Sequence, residues 1–269
     1  MHSVWRLIDT GPCSGRENMA IDEALFRSFD PSSSQPVLRL YGWQPPALSL
    51  GRFQQAGSDL DLARCAADNL TIVRRITGGG AIYHADELTY SLVCSPSQIP
   101  PATSVKDSFR VLTAFLLAFY RGLGLQAAYA VDLAPPGTRL GARTPLCFAG
   151  KESYDILVND RKIGGNAQRR SREIIFQHGS IPLYNRVEQG LAYLAVKPVG
   201  VQQATTCLLD EGIAAEAAVL KQQLVACFEA CLQTAMAPDG LRPQELALAR
   251  NLVEQKYTST SWNLEGEEA

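Results

Sequence analysis

Apolar residues recur every four positions at Ile21, Leu25 and Phe29, behind Ser14 and a glutamate three residues later, Glu17. That spacing predicts a capped helix from about 15 to 29 with one face in the core, stopped by Asp30-Pro31. Short apolar runs follow in quick succession and predict strands at 37–42, 47–51, 70–75, 80–84 and 88–94. A short helix at 59–68, begun by Ser58, interrupts them. Val105, Phe109, Leu112, Leu116, Phe119 and Leu123 form a clean stripe for a longer helix at 105–121, with Ser104 and Asp107 at its start. Strands at 153–158 and 173–183 flank a KIGGNAQ turn, and helices near 213–236 and 243–255 close the chain.

No regular alternation of strand and helix runs through this order. The expectation is therefore an α+β fold with a mixed, mostly antiparallel sheet flanked by helices. At 269 residues the chain fits one large domain, 1–269, that includes the C-terminal helices 213–255. The long irregular segment, 132–146 (DLAPPGTRLGARTPL), has the length and composition of a lid or binding loop.

A net charge of −2 and a pI near 6.0 argue against binding nucleic acid by bulk electrostatics. Lys151, Arg161, Lys162, Arg169, Arg170 and Arg172 cluster in sequence, as a local basic patch for an acidic partner or as an ordinary solvated hairpin. No segment has the length of a membrane span, and the N-terminus carries no secretory pattern, so a cytoplasmic protein is expected. The seven cysteines form an odd set without CxxC pairs or zinc spacing, which points to reduced thiols and no metal.

The candidate chemistry lies in residues 74–91, RRITGGGAIYHADELTYS. Gly78, Gly79 and Gly80 offer bare N–H groups and tolerate positive φ, and arginines beside such a loop suit a phosphate, a carboxylate or an acyl carbonyl. A glycine-rich hairpin with solvated arginines has the same pattern. Ile76, Ala81, Ile82 and Tyr83 would wall an apolar slot, and His84 orders the loop or touches the substrate. Asn18, Asp22 and Glu23 on the first helix read as structural polar contacts. His178 reads as shaping the lysine turn. Cys147 follows the irregular segment, and Lys162 returns fifteen residues later in the turn. A nucleophilic cysteine needs access and a nearby cation. Taken as residues alone, a small buried cysteine and a surface lysine fit as well.

The 74–91 run resembles the catalytic domain shared by lipoate–protein ligases, octanoyltransferases and biotin protein ligases. NMAIDEAL (18–25), RLYGWQPPALSLGRFQ (39–54), LCF (146–148), RKIGGNAQRR (161–170), FQHGSI (176–181) and KYTSTSW (256–262) continue the likeness in order, and with ELTYS (87–91) the chain is most similar to LipM-type octanoyltransferases. The resemblance implies Cys147 as the acyl-thioester nucleophile and Lys162 as its catalytic partner. It implies substrate contacts from Arg75, Gly78, Gly79, Gly80, Tyr83, His84, Gly164 and Gly165. The implied donor is octanoyl-acyl carrier protein, and the acceptor a lipoyl-domain protein such as glycine cleavage H protein or a dehydrogenase E2. A monomer without cofactor, nucleic acid or membrane partner is expected. One position departs from the pattern: LipM-type sequences commonly have arginine where this chain has Gly80, and glycine is what lipoate ligases usually carry there. An ATP- and magnesium-dependent lipoate–protein ligase is therefore the alternative.

Overall fold

The computed structural model describes residues 4–102, 104–135, 138, 140–141 and 152–267. In chain order the strands are β1 (Val4–Cys13), β2 (Val37–Trp43), β3 (Ala47–Leu50), β4 (Thr71–Arg74), β5 (Ile82–His84) and β6 (Glu87–Cys94). After them come β7 (Ala127–Tyr129), β8 (Ile156–Val158), β9 (Arg161–Ile163), β10 (Gly165–Arg170), β11 (Ile175–Pro182), β12 (Thr205–Thr206) and β13 (Ala235–Asp239). They form a six-stranded sheet ordered β10-β11-β6-β2-β1-β13, a four-stranded sheet β12-β9-β8-β7 and a three-stranded sheet β4-β3-β5. Antiparallel pairings outnumber parallel ones, so the fold is α+β with mixed sheets, as the element order implied.

Both faces of the large sheet are covered. On β2, Leu38 and Leu40 join one core while Val37, Tyr41 and Trp43 join the other, which is the period of two expected of a strand buried on both sides. Helices Val105–Gly122 and Ala217–Leu232 pack on the first face, through Leu112, Phe115, Leu116, Leu224 and Phe228. Helix Gly15–Ser28 packs on the second, with Ile21, Leu25 and Phe29 in the core. Its start is the expected capping box: Ser14 Oγ accepts from the Glu17 N–H, and the Glu17 carboxylate accepts from the Ser14 N–H.

Several expectations needed correction. Strand β1 lies inside the large sheet, parallel to both β2 and β13, although no strand was expected before the first helix. Its pattern is hidden by Arg6, a charge in mid-strand that is buried against Asp239 and Glu245, and by a register shift between Asp9 and Gly11. The single helix expected at 59–68 is two short ones, Ala56–Asp59 and Leu62–Ala67. Asp61 caps the second, and Leu60 is extended between them. The long-helix stripe holds at Leu112, Leu116 and Phe119, but Val105 is exposed.

The KIGGNAQ run is not a turn. It comprises β9 and β10, broken only at Gly164, whose φ is +77°. A Cβ at Gly164 would lie 2.2 Å from the Ser180 carbonyl oxygen, so glycine is required by conformation and by space together.

Gly200 also has positive φ (+80°), but a Cβ there meets nothing within 4 Å. Gly200→Ala should cost only the left-handed backbone penalty of roughly 1–2 kcal/mol. Gly164→Ala should cost clearly more in urea unfolding, because the backbone of β11 must also move. Equal costs would show that the close approach at Gly164 is not maintained.

Candidate active site

Between β4 and β5 the chain runs through Arg75 to Gly80, and the two arginines that open this run have separate duties. The Arg74 guanidinium is buried and donates to the carbonyls of Gly51, Arg52, Gln54, Trp262 and Leu264, tying the 51–54 loop to the C-terminal segment. Burial pushes it down from its ordinary value and the Arg52 charge adds to this, yet the guanidinium stays protonated. Arg75 folds the glycine loop around itself. Its Nη2 donates to the carbonyls of Gly78 and Gly80, both at 2.8 Å, and its Nη1 to the Ser49 carbonyl at 3.1 Å.

The glycines therefore answer first to the protein. Gly79 has φ +98°, and a Cβ on it would lie 2.8 Å from Arg75 Nη2, while a Cβ on Gly51 would meet the Gly79 oxygen at 2.0 Å. Gly78 differs. Its nearest neighbour would be Phe53 Cδ2 at 4.0 Å, so it faces open space.

Two adjoining hollows flank this loop. A narrow apolar slot of about 30 Å³ is lined by Met19, Trp43, Arg75, Gly79, Ile82, His84, Gly165 and Ser180, among others. A cavity of about 640 Å³ lies beside it, lined by Gly78, Gly79, Gly80, Tyr154, Asp155, Lys162 and Gln168. Gly79, Asn166 and Ala167 line both, so the two hollows adjoin at these residues.

Most polar groups around the slot are satisfied by one another. His84 Nε2 meets Ser49 Oγ at 2.8 Å, its Nδ1 meets Glu87 Oε1 at 2.8 Å, and its ring stacks on Trp43 at 3.8 Å. Glu87 accepts from Thr89 Oγ1, which accepts from Trp43 Nε1. Behind them Asp22 accepts from Arg39, Tyr41 and Ser91. Burial would raise the Asp22 carboxyl, but the Arg39 charge, with His178 and Ser91, holds it below the usual range. Asn18, Asp22 and Glu23 are thus structural contacts, as expected; Glu23 is buried against Lys256 and Tyr257.

The expected slot walls are only partly correct. Ile82 lines the slot, whereas Tyr83 points to the opposite side, against Tyr193. Alternation along β5 forces this, since Ile82 and His84 share one face and Tyr83 takes the other. Ile76 and Ala81 are packed in core clusters. His178 does not shape the lysine turn. Its Nε2 meets Thr77 Oγ1 at 2.7 Å and its Nδ1 lies 3.6 Å from Asp22, so it braces the glycine loop against the first helix.

Lys162 lies on β9 and is buried rather than placed in a surface turn. Its ammonium pairs with Asp155 at 2.6 Å, and both line the larger cavity. Asp155 also accepts from the Glu152 N–H, which fixes the carboxylate. Sequence reasoning missed Asp155; the signal was a carboxylate at the start of the strand hairpin that carries the lysine. Gly165 lines the slot, while Gly164 is the hinge before it. The basic cluster is dispersed: Arg161 pairs with Glu211, Arg169 lies over Phe26, and Arg170 bonds Ser108. Cys147, Lys151 and most of the 132–146 segment lie outside the described residues. Burial pushes up the thiols of Cys65, Cys94, Cys207, Cys227 and Cys231, opposite to what a nucleophile needs. Among the described residues there is no metal-binding cluster and no helix long and apolar enough to cross a membrane.

Residues 14–232 match the lipoyl protein ligase A/B catalytic domain. The chain belongs to that family. A protein of Geobacillus kaustophilus named Octanoyltransferase LipM is 34% identical, over 97% of this chain and 98% of its own length. Among solved structures, a lipoate-protein ligase A bound with ATP superposes with a TM-score of 0.81 at 24% identity, covering 99% of this chain and 100% of the ligase. A bipartite lipoate protein ligase described with its E2 lipoyl domain, from Thermoplasma acidophilum, gives 0.80 at 23% identity, covering 100% and 99%. These two likenesses fix the fold.

The His178 brace has a pH signature. Burial lowers the His178 pKa below 6.5; Asp22 opposes this, while Arg75 and His84 add to it. The unfolded chain then takes up the proton first, so the stability tied to neutral His178 is complete above about pH 6.5 and is lost as pH falls through the folded value. Thermal unfolding midpoints should fall more steeply between about pH 7 and 5 in the wild type than in His178→Gln. Parallel profiles would contradict this role.

Proposed function

We infer that this chain is an octanoyltransferase of lipoate biosynthesis, acting as one catalytic unit and a cytoplasmic monomer. The observation that carries the reading is a narrow apolar slot adjoining a cavity that holds a buried lysine, in a chain 34% identical over 97% of its length to a protein named as an octanoyltransferase. An eight-carbon chain suits an apolar slot whose polar groups, Ser180 apart, are already paired.

The donor is octanoyl-acyl carrier protein. The Cys147 thiolate attacks the thioester carbonyl carbon, the carrier leaves as its own thiolate, and an octanoyl-enzyme remains. The acceptor is the lysine of a lipoyl-domain protein, such as glycine cleavage H protein or a dehydrogenase E2. Its neutral ε-amine attacks the enzyme thioester, an amide forms, and the Cys147 thiolate is released as the amine loses a proton. A thioester exchanged for a thioester, then for an amide, runs downhill without ATP or metal. Lys162 supplies the cation beside the nucleophile, with Asp155 anchoring one of the three protons of its ammonium. Arg75, Gly78, Gly79, Gly80, His84 and Gly165 hold the acyl group, with Arg75 and His84 acting through the walls they brace.

Gly80 supports one second reading, a ligase that admits a nucleotide beside the loop. The two are separated by intact mass after mixing with octanoyl-acyl carrier protein alone. The wild type and Gly80→Arg should both gain a hydroxylamine-labile octanoyl group that Cys147→Ala lacks. Equal loading of Cys147→Ala, or loading only with ATP and free lipoate, would sink the transferase.

Lys162 is tested by the alkylation of Cys147 against pH. The apparent thiol pKa should lie below the free value of about 8.5 and rise in Lys162→Ala. An unchanged titration would remove Lys162 from this role.

A further inference from the structure

Ser180 is buried on β11, and its side chain lies on the same strand face as that of His178, two residues earlier; both line the slot. The opposite face of β11 places Ile175 and Ile181 in the core beneath the long helix. The other hydroxyls around the slot have partners: Ser49 meets His84, Thr89 meets Glu87, and Tyr41 meets Asp22. The Ser180 hydroxyl, equally shielded, has none. A buried unpaired hydroxyl destabilises the free protein, because its lost hydration is not replaced. Such a group is expected where a ligand completes it.

Position indicates which part of the ligand. Ser180 stands opposite Gly165 in the β10–β11 ladder, and its own carbonyl presses on Gly164, two residues after Lys162. It therefore lines the slot beside the β9–β10 junction that follows the lysine, and on this placement the head of an acyl chain would sit there. An aliphatic chain offers no acceptor, but a thioester carbonyl oxygen does. On the reading of the site as an acyl-transfer centre, we propose that Ser180 is a substrate-binding residue whose hydroxyl donates to the carbonyl oxygen of the acyl thioester. The same bond persists to the oxyanion when a nucleophile adds to that carbon, and Ser180 loses no proton in either step.

The test uses two probes that differ only in the carbonyl oxygen: S-octanoyl-N-acetylcysteamine and its thioether counterpart, S-octyl-N-acetylcysteamine. Binding is measured by calorimetry in Cys147→Ala, with and without Ser180→Ala, so that no transfer consumes the thioester. Loss of Ser180 should weaken the thioester about ten-fold, the weight of one such bond, and leave the thioether unchanged. Melting temperature should be at or above that of the parent, since the substitution removes an unpaired buried group. Equal effects on both probes, no effect on either (an ordered water only), no binding of the thioester by the parent, or a lowered melting temperature would each overturn the proposal. Wild-type protein that binds the thioester but transfers nothing without ATP would overturn the transferase reading alone.

Discussion

Arg75 is the constraint on which the site depends. Its guanidinium is encircled by carbonyls from Ser49, Gly78 and Gly80, so the glycine loop is wound around a buried cation. Hydrogen bonds to a charged donor are stronger than neutral ones, and removing the cation would leave several inward-pointing carbonyls unsatisfied. The loop so held lines both the slot and the cavity, through Gly79. Arg74, one residue earlier, turns the other way and holds the C-terminal segment through Trp262 and Leu264. Adjacent strand residues point to opposite faces, and the pair uses both.

The slot is apolar although many of its lining residues are not. His84, Ser49, Glu87, Thr89 and Trp43 form one connected network, and Asp22, Arg39, Tyr41 and Ser91 another. Each group spends its polarity sideways, leaving rings and methylenes to face the hollow. Such networks also make the walls rigid, because moving one member strands its neighbours. The buried Lys162–Asp155 pair stands apart from both networks, in the adjoining cavity, held at the β8–β9 hairpin.

Much of this was legible in the chain. The capping box at Ser14 and Glu17, the stripe of the long helix and the inner strands follow periodicities that buried surfaces impose. The glycine loop was visible as a site, but not the reason for its glycines; at Gly79 the close neighbour is Arg75 of the same chain. Strand β1 escaped because Arg6 breaks its apolar pattern and its charge partners lie more than two hundred residues away. Tyr83 was placed in the slot by proximity to His84, although one residue along a strand means the opposite face. Asp155 escaped because no spacing rule marks a carboxylate whose partner arrives through a hairpin. Cys147 rests on motif resemblance.

The central claim is that octanoate passes through a covalent enzyme intermediate to a protein lysine without a nucleotide. The most direct measurement is a single-turnover chase. Octanoyl-enzyme, freed of carrier protein and ATP, is mixed with an apo lipoyl-domain protein, and both proteins are followed by intact mass. The account expects the octanoyl group to leave the enzyme and appear, in equal amount, on the acceptor lysine. Octanoate that stays on the enzyme, is released only to water, or reaches the acceptor only when ATP is added would contradict it.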